Sequence, residues 1–311
     1  TAGWLLAAAL HAVIVFGYLM PVTAYFTAVP GDLGDNRYNA IILEHLYRVV
    51  AGGYHGGLWH PDYFYPFKGA LAFSDNLFGS GAVYVLARLL GLSREHAFDA
   101  WFVLGSLLNF ASALYALRRF GVSTAAAALG ACVFAFAVPV PAQDNHAQFV
   151  YRFAIPLAVL ALWQAFERRR LVDLGRVALF TAWQFYCSPY LGLFLVYLLS
   201  ALCVAILVLR KPFEWGRWRD KLAAEPGAAR LLAAAALLLA AVALAWLVAA
   251  YLGVSRSYGF WRSIEAIIDL LPRPGSYLIA DNSALLEWIG REVDVPYRWE
   301  HQMFAAFGAL A

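Results

Sequence analysis

The residues able to do chemistry are acidic and fall in connections between apolar runs. Asp32 and Asp35 belong to 31–37, read Gly-Asp-Leu-Gly-Asp-Asn-Arg, just after the first long apolar run. Asp75 stands in Ser-Asp-Asn ahead of a shorter apolar stretch, and Asp144 in Gln-Asp-Asn-His, two residues before His146. Carboxylates so placed can take a proton from a hydroxyl or hold a divalent cation. Each could also simply cap the helix that follows. Capping accounts for one such residue better than for the pair Asp32 and Asp35, or for Asp144 together with His146. Taken alone, His146 reads as a hydrogen-bonded interface residue. Arg152 either snorkels to headgroups or, beside the acidic residues, binds a phosphate. There is no Gly-rich phosphate loop ending in Lys-Ser/Thr, no His-Glu-x-x-His and no Gly-x-Ser-x-Gly.

The elements that must position these residues are set by a lipid solvent. Of 311 residues 63% are hydrophobic and only 14% charged, and the mean hydropathy is +0.65. A soluble domain is nearer half apolar and a quarter charged. A net charge of +3 is too small to suggest nucleic acid. Cys132, Cys187 and Cys203 lie in apolar runs without metal-ligand spacing and read as small core residues. No cleavable signal peptide is visible, and the first apolar run would serve as its own anchor. The chain starts at Thr1 and stops inside a new apolar run, as expected of part of a longer protein.

About 20 mostly apolar residues make a span. The expected spans are 3–28, 97–117, 123–139, 148–166, 172–188, 190–209 and 228–252, with another starting near 302. Three connections are basic: Arg118-Arg119; Arg168-Arg169-Arg170 with Arg176; and Arg210-Lys211 with Arg217, Arg219 and Lys221. The positive-inside rule puts them together in the cytoplasm. The stretch 77–91 is then an interfacial helix, because a further span there would send Arg118-Arg119 outside. The N-terminus is expected inside, with 29–96, 140–147, 188–190 and 253–301 facing outward. Long connections are usually functional, so the working face is the outer one.

Within 29–96, Tyr38, Ile41, Ile42, Leu46 and Val49 share one helical face, opposite Arg37, Glu44 and Arg48. That pattern predicts an amphipathic helix over 37–50 lying in the interface. A glycine-rich break and an aromatic, proline-containing stretch follow. The fold class expected is therefore all-α: a polytopic transmembrane bundle with two interfacial helices in its first outer loop. Residues 1–252 form the membrane module, 253–301 an outer loop or lid, and 302–311 the start of a further span.

These features together resemble the GT-C superfamily of membrane glycosyltransferases. It includes protein O-mannosyltransferases, the lipid A aminoarabinose transferase and oligosaccharyltransferases. The resemblance rests on Asp32 and Asp35 after the first span, the two interfacial helices, a second span ending Leu117-Arg118-Arg119, and Asp144 after the third span. Tyr65-Pro66-Phe67 and the late run from Glu300 to Phe304 look most like uncharacterised bacterial members with a Tyr-Pro-Phe motif. The family's strict Asp-x-Asp or Glu-x-Asp triplet is absent, which leaves open whether Asp35 or Asp32 is the base.

The resemblance implies an enzyme of the bacterial inner (plasma) membrane with its active site facing the periplasm. It implies a sugar donor on a polyprenyl phosphate, an acceptor that is a glycan, lipid or protein, and inversion at the anomeric carbon. Asp35 and Asp32 are the catalytic candidates. Asp75, Asp144, His146, Arg152 and Arg256 are the substrate-binding candidates, with Arg262, Lys68, Tyr258, Trp261 and Glu300 nearby. The resemblance leaves a metal open, since some members use one and others do not: Asp35, Asp144 and His146 are the candidate ligands for Mg²⁺ or Mn²⁺, a thin set for the octahedral geometry these ions prefer. The competing readings are a transporter or flippase for lipid-linked glycans, which requires a polar path across the spans, and a noncatalytic scaffold with scattered acidic caps.

Overall fold

The computed structural model describes residues 2–304 apart from 32, 33, 138, 144, 210–214, 282 and 284, and without the side chains of 215 and 217. Two of the sequence-level candidates, Asp32 and Asp144, thus lie outside the described residues, as does most of the expected further span near 302. Among the described residues the fold is all-helical, with no strand. Six helical stretches are long and apolar enough to cross a bilayer: Ala2–Val22, Arg94–Arg119, Thr124–Gln143, Ala147–Arg168, Pro189–Leu209 and Gly227–Tyr258. The chain therefore reads as an integral membrane protein. Exposed leucines such as Leu231, Leu232, Leu238 and Leu239 on the last of these suit a lipid-facing surface.

We number the helices α1 (Ala2–Val22), α2 (Asp35–Val50), α3 (Phe78–Leu89), α4 (Arg94–Arg119), α5 (Thr124–Phe136), α6 (Ala154–Arg168), α7 (Leu171–Cys187), α8 (Pro189–Leu209), α9 (Trp215–Ala223), α10 (Gly227–Tyr258) and α11 (Ile264–Leu270). Helices stand at both positions where the sequence predicts interfacial ones, as α2 and α3. α2 buries Ile42 and Leu43 in a core with Trp101, Phe98 and Tyr84, and Leu46 is buried on the same helix.

One sequence-level boundary is corrected. The first span ends at Val22 rather than near residue 28. The Thr23 hydroxyl donates to the carbonyls of Leu19 (3.0 Å) and Met20 (3.1 Å), and Ala24, Tyr25 and Phe26 turn left-handed with φ of 44, 57 and 65°. Apolar composition hid this stop, since all three residues are as lipid-compatible as the helix before them. The expected span 172–188 is present as the helix α7, whose 17 residues rise about 26 Å, at the lower limit for crossing a hydrocarbon core of about 30 Å. It packs against α3, α6, α8 and α10. Its first two turns hold the Asp173–Arg176 ion pair at 2.9 Å.

α3 crosses α7 at Gly79. A Cβ there would lie 2.8 Å from the Cys187 amide nitrogen and 2.9 Å from the Tyr186 carbonyl carbon. Backbone cannot retreat as a side chain can, so Gly79→Ala is expected to cost about 1–3 kcal/mol. Gly253→Ala, which meets nothing within 4 Å, is the control. Denaturant unfolding in one detergent compares the two, and equal midpoints would contradict this account of the crossing.

The connections expected on the outer side meet at one end of the bundle. Asp35 contacts His146 and His146 contacts Glu300; Tyr251 donates to the Ser74 carbonyl at 2.6 Å; Tyr258 and Lys68 are hydrogen-bonded. The basic connections gather at the other end. Phe120 packs on Trp163 and Phe166 on Trp218, and the Leu171 amide donates to Glu225 at 3.0 Å.

Candidate active site

Asp35 opens α2 but does not cap it. The capping position is Gly34, with no side-chain cap, and Asp35 stands in the first turn, where the helix dipole favours a carboxylate. Its Oδ2 instead accepts from the His146 ring (Nδ1, 2.8 Å) and from Gln148 Nε2 (3.3 Å). The next residues stitch the same segments together. Asn36 Oδ1 accepts from the Ala147 amide at 2.8 Å, Asn36 Nδ2 donates to Pro30 O at 2.7 Å, and Asn39 Nδ2 donates to Gln148 Oε1 at 2.6 Å. Asn36 and Asn39, one turn apart on α2 and both buried, thus hold 146–148 against the Asp35 carboxylate. Neither they nor Gln148 were candidates from sequence, although Asn-x-x-Asn on an interfacial helix was a usable signal.

The far side of His146 meets Glu300 (Nε2 to Oε1, 3.3 Å). A neutral imidazole has one N–H. Both contacts are therefore hydrogen bonds only when the ring carries two protons or one carboxyl retains its own. The three side chains come from positions as distant as 35 and 300, and Asp35 remains half open to solvent.

Asp35 lines a cleft of about 680 Å³ with Tyr38 and Ser74, facing Phe64, Phe73, Phe260, Trp261 and Arg262. The wall opposite the carboxylate is aromatic. Phe73 stands edge-on to Phe260 at 5.0 Å and stacks on Phe64 at 5.8 Å. Arg262 supplies a cation to the cleft. Arg256 is exposed in the last turn of α10 and is not part of the lining.

Asp75 lies behind this wall. It too is no cap: the Asn76 side chain accepts the Phe78 amide at 2.9 Å, and Asp75 is fully buried. Desolvation pushes its pKa up to about 6; the nearby Ser188 hydroxyl opposes the shift and the Asp35 charge adds to it. Asp75 Oδ1 and Ser188 Oγ each have no hydrogen-bond partner, so they interact across a distance longer than a hydrogen bond.

A raised carboxyl pKa has a definite sign for stability. Between the unfolded value near 4 and about 6, the folded state binds the extra proton, so stability falls as pH rises through that window. At pH 7 the ionised, buried Asp75 costs about 3 kcal/mol. Asp75→Asn is expected to raise the thermal midpoint at pH 7 and to match the parent near pH 4. A variant that is less stable at pH 7 contradicts this.

Arg152 lies on the other side of His146, on a small hollow with Tyr18 and Ser106. Its amide donates to Asn109 Oδ1 at 2.9 Å and its guanidinium to Ala135 O at 3.3 Å. Among the described residues no carboxylate pairs with it. Sequence reading also passed over Asp99, which is fully buried in α4 with both oxygens unpartnered. Hydropathy averages over such a residue.

Among the described residues no group of three or more His, Cys, Asp or Glu side chains is arranged to hold a metal ion. Both His146 nitrogens are already engaged. Comparison of the chain with protein-family models, with curated proteins and with solved structures returns no match.

Proposed function

We propose that the protein is a GT-C-type glycosyltransferase that moves a sugar from a polyprenyl-phosphate donor to a hydroxyl acceptor at the outer face of a bacterial inner membrane. The observation carrying this reading is the solvent-open Asp35 carboxylate, oriented by His146 and Gln148 on one wall of an aromatic cleft. Asp35 takes the proton of the acceptor hydroxyl as its oxygen bonds the anomeric carbon. The bond from that carbon to the phosphate oxygen breaks on the opposite face, the lipid phosphate leaves with the electron pair, and the configuration inverts. Arg262 neutralises charge growing on the leaving phosphate. The aromatic wall suits the apolar faces of a sugar ring or the first isoprene units of the carrier. Asp75, buried beside the cleft, sets the local field against which Asp35 works.

Proteoliposomes supplied with polyprenyl-phosphate hexoses and pentoses test the proposal. Formation of a glycosylated product with release of the lipid phosphate is the expected result. Movement of the intact lipid-linked sugar between leaflets, with no product, replaces the enzyme reading with a flippase.

A further inference from the structure

A second hollow, of about 780 Å³, opens on another face of α2 and shares none of the lining of the Asp35 cleft. Its charges are unevenly satisfied. Glu44 is occupied by Tyr84 (2.8 Å), Arg88 (3.0 Å) and Arg94 (3.2 Å). Asp62 is occupied by Arg48 at 3.4 Å. Glu95 sits in the first turn of α4, against that helix's own N–H groups. The cations are not used up. Arg37 is exposed and has no partner among the described residues, and the Arg48 and Arg94 forks have further N–H groups to give. Val29, Ala40, Ile41, Pro61 and Phe98 add an apolar part to the lining, beside Tyr63 and a His45 ring already bound to the Leu58 carbonyl at 2.8 Å. Arg94 is also the first residue of a membrane-length helix, the position at which a basic side chain meets lipid headgroups.

We propose that this hollow binds a phosphate ester carried on an apolar chain, a lipid phosphate. The phosphate rests on Arg37, Arg48 and Arg94, and the first part of the chain lies along Val29, Ile41 and Phe98. Guanidinium groups match phosphate oxygens in geometry as well as charge. The site is independent of the chemistry proposed at Asp35.

Native mass spectrometry of the purified protein, titrated with four probes, tests it. The probes are dioctanoyl phosphatidylglycerol, dioctanoylglycerol, farnesyl phosphate and inorganic phosphate. At least one phosphate-bearing lipid is expected to bind about tenfold more tightly than inorganic phosphate or dioctanoylglycerol. Tighter binding of phosphatidylglycerol identifies a bilayer lipid; tighter binding of farnesyl phosphate identifies an isoprenoid phosphate. Arg37→Gln, at an exposed residue with no partner to lose, is expected to weaken the lipid about tenfold. Ile41→Ser is expected to weaken the lipid and leave inorganic phosphate unchanged, and Arg230→Gln, at an exposed cation outside both hollows, is expected to change nothing. The proposal is overturned if dioctanoylglycerol or inorganic phosphate binds as well as the lipids, if Arg37→Gln has no effect, or if Arg230→Gln weakens binding as much as Arg37→Gln.

Discussion

Asp35→Asn is expected to leave the protein folded and to lower sugar transfer by about 10²- to 10⁴-fold, the usual contribution of a general base. The amide keeps an oxygen that can accept from His146 and Gln148, so the contacts holding 146–148 to α2 can survive. What it cannot do is take a proton. A variant that instead lost folded protein would indicate a structural role. Full activity in a properly folded Asp35→Asn protein would remove Asp35 as the base. Glu300→Gln gives a second measure: it touches His146 but not the cleft lining. It is therefore expected to reduce activity less than Asp35→Asn, by loosening the orientation of His146.

The largest stability effect is expected at Trp101. It is fully buried, packs on Phe98 at 5.3 Å and Tyr151 at 5.2 Å, and its carbonyl accepts from the Tyr151 hydroxyl at 2.8 Å. Tyr151 in turn offers its carbonyl to Gln184 of α7 at 2.9 Å. Trp101 therefore underlies the join between the second membrane-length helix and α7. Trp101→Ala leaves a cavity that packed helices cannot close and is expected to cost about 3–5 kcal/mol. Denaturant unfolding in a single detergent measures it. A loss below about 1 kcal/mol would mean the surrounding helices close over the site.

Much of the scaffold was readable in the sequence because lipid imposes a one-dimensional rule. A run such as 228–252 must be a long helix whatever it packs against, and the structure has α10 there. The amphipathic spacing from Tyr38 to Val49 identified α2 for a similar reason. Hydropathy does not report where an apolar helix stops, so the turn at Thr23 was missed. The site was legible only in part. Asp35 and His146 stood out by type, and the structure joins them. Their third partner, Glu300, is 154 residues beyond His146, and only tertiary packing brings it there. The burial of Asp75 has the same origin: nothing in Ser-Asp-Asn distinguishes a solvated cap from a carboxyl enclosed beside Ser188.

One helix carries Asp35 toward one hollow and, two residues later, Arg37 toward the other. A shared wall makes the two ligands thermodynamic correspondents. By whatever factor an occupant beside Arg37 alters affinity at the aromatic cleft, the occupant of that cleft alters affinity beside Arg37 by the same factor.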